Sequence, residues 1–180
     1  MNYLLRGVLV VGSVAALSLA AFSLPVSEAR GDNDEGEGRG TLMPRVANKA
    51  WQQECASCHI GFAPGFLPKA SWRKMMGNLD NHFGDNASLD PATRDEILRF
   101  LEANAADSGS SKIGSKTMRS LAPGAAPQRI TETRWFVNEH DEVSRATWKR
   151  KSVGSAANCA ACHKQAEKGQ FDEHRVSIPK

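Results

Sequence analysis

Apolar positions recur along this chain in short helical stretches, each cut off by Gly, Pro, Ser or Asn. The first, 46–57, sets Val46, Ala50, Trp51 and Glu54 along one side and predicts a helix. The next segment, 61–68 (GFAPGFLP), holds two Gly, two Pro and three large apolar residues. A regular helix cannot form there, and the apolar residues predict a loop folded inward rather than into water. Residues 71–83 read as a helix capped by Ser71, with Trp72, Met75, Met76, Leu79 and Phe83 on one face and His82 at its edge. Asp90-Pro91 opens another helix, a cap followed by proline in the first turn. Its buried stripe is Ile97, Leu98 and Leu101, and it ends near Asn104. Residues 107–127 are rich in Ser, Gly and Pro and read as a linker, with Lys112, Lys116 and Arg119 against the single acid Asp107. Helical character returns over 130–148, with Phe136, His140, Val143 and Thr147 on one side, and again over 155–168, with Gly169 as the stop. The tail from Phe171, with Val176, Ile178 and Pro179, predicts an extended strap. No strand pairing is evident, so the expected fold class is all-α and loop-rich.

The chemistry lies in two pentapeptides, Cys55-Ala56-Ser57-Cys58-His59 and Cys159-Ala160-Ala161-Cys162-His163, which use every cysteine of the chain. C-x-x-C-H is the attachment signature of a c-type heme. The two thiols add across the heme vinyl groups, and the adjacent histidine coordinates the iron as proximal ligand. Three other chemistries use such cysteine pairs. A thioredoxin-like redox pair leaves both histidines unexplained and needs alternating strands. A four-thiolate zinc site is expected with its pairs roughly 15–20 residues apart, whereas 100 residues separate Cys58 from Cys159. Two disulfides spanning i and i+3 would constrain little chain. The expectation is two covalent hemes, heme 1 on Cys55, Cys58 and His59, heme 2 on Cys159, Cys162 and His163.

The N-terminal residues 1–29 read as an export signal: Arg6 as the positive region, an uncharged run of 18 residues from Gly7 to Leu24, then Pro25 and the small residues around Ser27 and Ala29. A retained transmembrane anchor is the other reading of that run. Export to the periplasm fits the hemes, because c-type attachment takes place outside the cytoplasmic membrane. Residues 30–45, Gly-rich and acidic, predict a flexible leader, and no ligand spacing supports a calcium loop there. The formal charge of +3 is too small an excess to argue for nucleic acid. Lys149-Arg150-Lys151 is a local basic cluster, read either as solvated surface or as a docking patch for an acidic partner. Hydrophobic residues make up 41% of the chain, the leader included, so the core is thin and two porphyrins would supply much of the missing apolar surface.

Each iron needs a second axial group or an open position. Beyond His59 and His163 the chain offers His82, His140 and His174, and methionine candidates at Met75, Met76 and Met118. His82 returns to heme 1 after one loop and one helix and flanks a turn that can aim its ring. His140 lies 19 residues before Cys159 on a face with apolar neighbours. His174 sits among Asp172, Glu173 and Arg175, as exposed residues do, and Met75 and Met76 read as core. The expected distal ligands are His82 for heme 1 and His140 for heme 2.

Over 51–179 the chain resembles the bacterial diheme cytochrome c family. The shared pattern is Trp51-x-x-Glu54-Cys55-x-x-Cys58-His59, Leu67-Pro68, Ser71-Trp72, His82-Phe83-Gly84-x-Asn86-Ala87, Arg129-Ile130-Thr131, Trp135-Phe136-x-x-x-His140, and Asn158-Cys159-x-x-Cys162-His163 with Ala166, Gly169-x-Phe171 and Ile178-Pro179. The resemblance implies two low-spin hemes with histidine at both axial positions, His82 and His140 matching the distal ones. It implies a cytochrome c-like N-terminal domain (46–106) and, after the linker (107–128), a second small helical heme-binding domain (129–180). It implies redox partners such as a small oxygen-binding cytochrome c or a membrane cytochrome b. The functional expectation is a periplasmic one-electron carrier without a small-molecule substrate. The alternative is a heme enzyme or gas-binding cytochrome with one open iron position.

Overall fold

In the computed structural model the described residues are 48–180. The expected export signal (1–29), the leader (30–45) and the first two residues of the predicted first helix lie outside them. Among the described residues there is no strand, as the periodicity predicted; seven α-helices, against the five helical stretches it marks, alternate with short 3-10 turns and loops. They are α1 (Lys49–Cys55), α2 (Lys69–Met76), α3 (Pro91–Ala103), α4 (Lys112–Ser120), α5 (Arg134–Glu139), α6 (Arg145–Trp148) and α7 (Cys159–Cys162).

α1 is capped by Asn48, whose Oδ1 accepts the Trp51 N–H at 2.7 Å, while its Nδ2 donates to Glu96 of α3 at 3.0 Å. Trp51 is buried against Phe100, ring centres 5.4 Å apart. A Cβ on Gly61 would stand 2.9 Å from Trp51 Cζ2, so only glycine lets the loop after the first Cys pair lie over the indole. That loop is turned inward as expected: 64–68 are buried, with a 3-10 turn at Pro64–Phe66. The Trp72 indole N–H pins it, donating to the carbonyls of Pro64 (2.8 Å) and Leu67 (3.1 Å).

α2 begins two residues before the predicted cap. Pro68 occupies the N-cap position, and Asp107, 38 residues away, accepts the Lys69 N–H at 2.9 Å. Ser71 is therefore a fully buried helical residue, not a cap. The helix stops at Met76 with Gly77 behind it, so Leu79 packs from a 3-10 turn and Phe83 stands in a loop, 47% exposed. α3 matches its prediction: Asp90 accepts from Ala92 (3.0 Å) and Thr93 (3.1 Å), Pro91 is first, Ile97 and Leu101 are buried, and Asn104 follows the last turn. Trp51, Leu67, Trp72, Met76, Ile97, Leu101 and Ala105 form one core.

The expected linker is partly folded. α4 is capped by Ser111, which accepts the Gly114 N–H at 2.8 Å, and buries Ile113, Gly114 and Thr117. Ile113 is its one large buried apolar side chain, and Gly114 lets the helix approach Ala106 closely, so the stretch carries little apolar periodicity. The helical stretch over 130–148 is broken at 140–144, because Thr133 and Ser144 each cap a short helix of their own. α7 is a single turn, not a helix through 168, and Gly169 ends the following 3-10 turn in the left-handed region (φ +69°). The tail is the expected strap. Ser177 N donates to Cys162 O (3.1 Å), Arg150 to Pro179 O (2.8 Å) and Ser152 to Lys180 O (3.0 Å).

Candidate heme sites

Cys55 closes α1, and Cys58 and His59 lie in the bend beyond it. His59 Nδ1–H donates to the Ile60 carbonyl at 2.7 Å, which leaves Nε2 as the ring's lone-pair nitrogen. Phe62 flanks the ring at 5.0 Å. Across from it stands His82, ring centres 6.2 Å apart and planes inclined by 24°. Beside the motif opens a cleft of about 410 Å³, lined by Trp51, Cys58, His59, Ile60 and Gly61, and by Glu167 from the second half of the chain.

The second site repeats the plan with different supports. Cys159 and Cys162 bound α7, and His163 N donates back to Cys159 O at 2.8 Å. Asn158 Nδ2 ties the turn to Val153 O at 2.9 Å. His140, just past the end of α5, donates from Nδ1 to Phe136 O at 2.9 Å and stacks on that residue's ring at 4.1 Å. Its ring centre lies 6.1 Å from that of His163, with planes at 75°. Phe171 packs edge-on to His163 at 5.4 Å.

Burial shapes the electrostatics of both sites. It pushes the Cys55 thiol up to about 11, with Glu54 adding to the rise. Burial likewise raises the Cys159 thiol. His82 is held below the ordinary histidine value by burial and then by the like charge of His59. His163 is lowered by burial and then by His140. Both histidines therefore favour the neutral form that a metal requires.

Two imidazoles bound end-on to one metal, each nitrogen at about 2.0 Å, place their ring centres roughly 6 Å apart. Both pairs have that separation, and each has two free cysteines beside it, so the donor set fits two c-type hemes. Trp135 adds a buried indole N–H that has no acceptor among the described residues, a donor suited to a cofactor carboxylate. All four cysteines are free, as attachment to heme requires. His174 is exposed, Met76 is in the core and Met75 packs against it. Sequence reasoning missed the aromatic supports Phe62 and Phe171, the contact of Arg129 with Phe83, and Glu167.

Helices without strands, carrying two C-x-x-C-H turns each faced by a second histidine, define a protein with two covalently bound hemes. The model of the family described as Dihaem cytochrome c matches residues 51–171, and this chain belongs to that family. It is similar to a diheme cytochrome c from Rhodobacter sphaeroides, at 41% identity over 72% of this chain and 99% of that one, with a TM-score of 0.65. A diheme cytochrome type c from Shewanella baltica OS155 is 39% identical over 76% of this chain and 95% of that one, with a TM-score of 0.61. No curated protein sequence matches. The chain accordingly takes two covalent heme c groups, through Cys55/Cys58 and Cys159/Cys162, and serves heme-based electron transfer with protein redox partners.

Proposed function

We propose that both hemes are bis-histidine and low-spin, His59 and His82 on heme 1, His163 and His140 on heme 2, and that the protein is a one-electron relay. The observation that carries this is the separation of the two imidazole pairs, 6.2 and 6.1 Å between ring centres. Heme supplies the Fe(III)/Fe(II) couple. The chain fixes the imidazoles through Nδ1 bonds at His59 and His140, so each presents Nε2 without rearrangement. With His59 and His82 on one iron and His163 and His140 on the other, neither heme would offer a place to peroxide, oxygen or nitrite. Histidine in place of methionine favours the ferric state and lowers the potentials.

Heme 1 is carried by 46–106 and heme 2 by 129–180, with 107–128 joining them. The N-terminal pattern supports export to the periplasm, where the redox partner is a small oxygen-binding cytochrome c or a membrane cytochrome b, as the family resemblance implies. The test is carbon monoxide added to the ferrous protein at neutral pH. The wild type is expected to show no prompt Soret shift, and His82→Ala and His140→Ala are each expected to open one iron of two and take up one equivalent. Prompt uptake by the wild type would reject the relay in favour of an open-site heme enzyme.

A further inference from the structure

Among the described residues Phe83 is the one non-glycine with a positive φ, +56°, and Gly84 follows at +110°. Together they make the tight turn after His82, closed by His82 N–H to Asp85 O (2.7 Å) and Asp85 N–H to His82 O (3.2 Å). A phenylalanine is disfavoured in this region because its Cβ crowds the backbone. Burial does not compensate, since the side chain is 47% exposed. Its partners are two. The ring stands edge-on to His82, centres 4.8 Å apart at 64°, and the Arg129 guanidinium lies 4.1 Å from the ring centre, against its negative face. Arg129 is itself steadied by Glu132 at 3.6 Å and precedes Ile130, which packs against both apolar clusters. Among the described residues no hydrogen bond holds the His82 ring, in contrast to His59.

We propose that Phe83 and Arg129 form a clamp that sets the His82 imidazole nearly parallel to that of His59, making both positioning residues for the axial pair of heme 1. The inference rests on the bis-histidine reading. Its consequence is electronic. Near-parallel imidazole planes, here 24° apart, split the two iron dπ orbitals and give a rhombic low-spin signal. Planes crossed at 75°, as at heme 2, leave those orbitals nearly degenerate and give a strongly anisotropic one. The clamp joins residues 46 positions apart, so the second half of the chain holds the distal ligand of the first heme.

The test is low-temperature electron paramagnetic resonance of the ferric holoprotein. The wild type is expected to show one rhombic and one anisotropic low-spin signal in equal amounts. Phe83→Leu and Arg129→Gln are expected to lose the sharp rhombic signal to a broader one with its largest g value shifted upward, leaving the anisotropic signal in place. Arg129→Lys, which keeps the cation, restores the rhombic signal. Arg129 is half-exposed, so its replacement reads the clamp even where Phe83→Leu does not fold. A wild type without a rhombic signal, or variant spectra that superimpose on the wild type, overturns the clamp. A high-spin wild-type signal or carbon monoxide uptake rejects the ligation itself, before any variant is compared, and removes the clamp with it.

Discussion

The Nδ1 hydrogens of His59 and His140 are committed to backbone carbonyls, while His82 and His163 are braced by phenylalanine edges. Each pair thus combines one histidine fixed by a directional bond with one fixed by packing. The packed members are those whose proton affinity burial lowers. In the folded holoprotein burial and, on the proposed ligation, the bond to iron keep these rings neutral, whereas a ring released on unfolding takes a proton near pH 6.5. The unfolded state therefore binds more protons in this window, and stability rises with pH through it. Acidifying the ferric holoprotein from pH 7.5 to 5.5 is expected to lower its urea midpoint; a midpoint that holds or rises would contradict the assignment of neutral, buried imidazoles. The attachment turns were legible because heme chemistry needs cysteines and histidine contiguous in sequence. That His82 would stand across from His59, and His140 across from His163, was legible because few other candidate ligands remain. Phe83 against Arg129 was not, since nothing in a linear pattern brings together two residues of different loops.

Among the elements, α4 carries the sharpest test of what the middle of the chain does. A Cβ at Gly114 would lie 2.9 Å from Ala106 Cα and O and 2.8 Å from Ser111 Oγ. In a free linker helix, Gly114→Ala would stabilise by up to about 1 kcal/mol through helix propensity. Packed as it is, the substitution forces the helix off the 3-10 turn at Ala106–Ser108 and is expected to cost about 1–3 kcal/mol. A thermal melt decides by sign: a lower midpoint supports the packed helix, a raised one a free linker. Element legibility followed where the signal was local. Asp90-Pro91 marked α3 because cap and proline act within one turn, and Gly169 marked a stop because its φ of +69° suits glycine. α2 was misplaced at its start because Asp107 accepts its first N–H from far along the chain. α5 and α6 merged in the periodicity because the break between them preserves the apolar phase of Phe136 and Thr147, both buried.

At the scale of the whole molecule the two heme segments differ in what they bury unaided. The first has a contiguous core from Trp51 to Ala105. Across 129–180 the buried apolar side chains are Phe136, Val153 and Ala166. At about 1.5–3 kcal/mol for a large side chain, that burial falls well short of the entropy of ordering the segment. The other aromatic side chains there, Trp135, Trp148 and Phe171, are only half-buried; Trp135 and Phe171 rest on Phe66 of the first half, and Phe171 also lies beside His163. The segment is therefore expected to need its cofactor in order to fold, as small metal domains need their ion. A chain with all four cysteines changed to alanine, prepared without heme, is expected to lose most of its helical circular dichroism. Such amide protection as survives is expected in α1 to α3 and absent from α5 to α7. A native-like spectrum, or protection spread evenly over both halves, would show that the polypeptide alone encodes the second half. The core positions around α3 would then have been a poor guide to where this fold draws its stability.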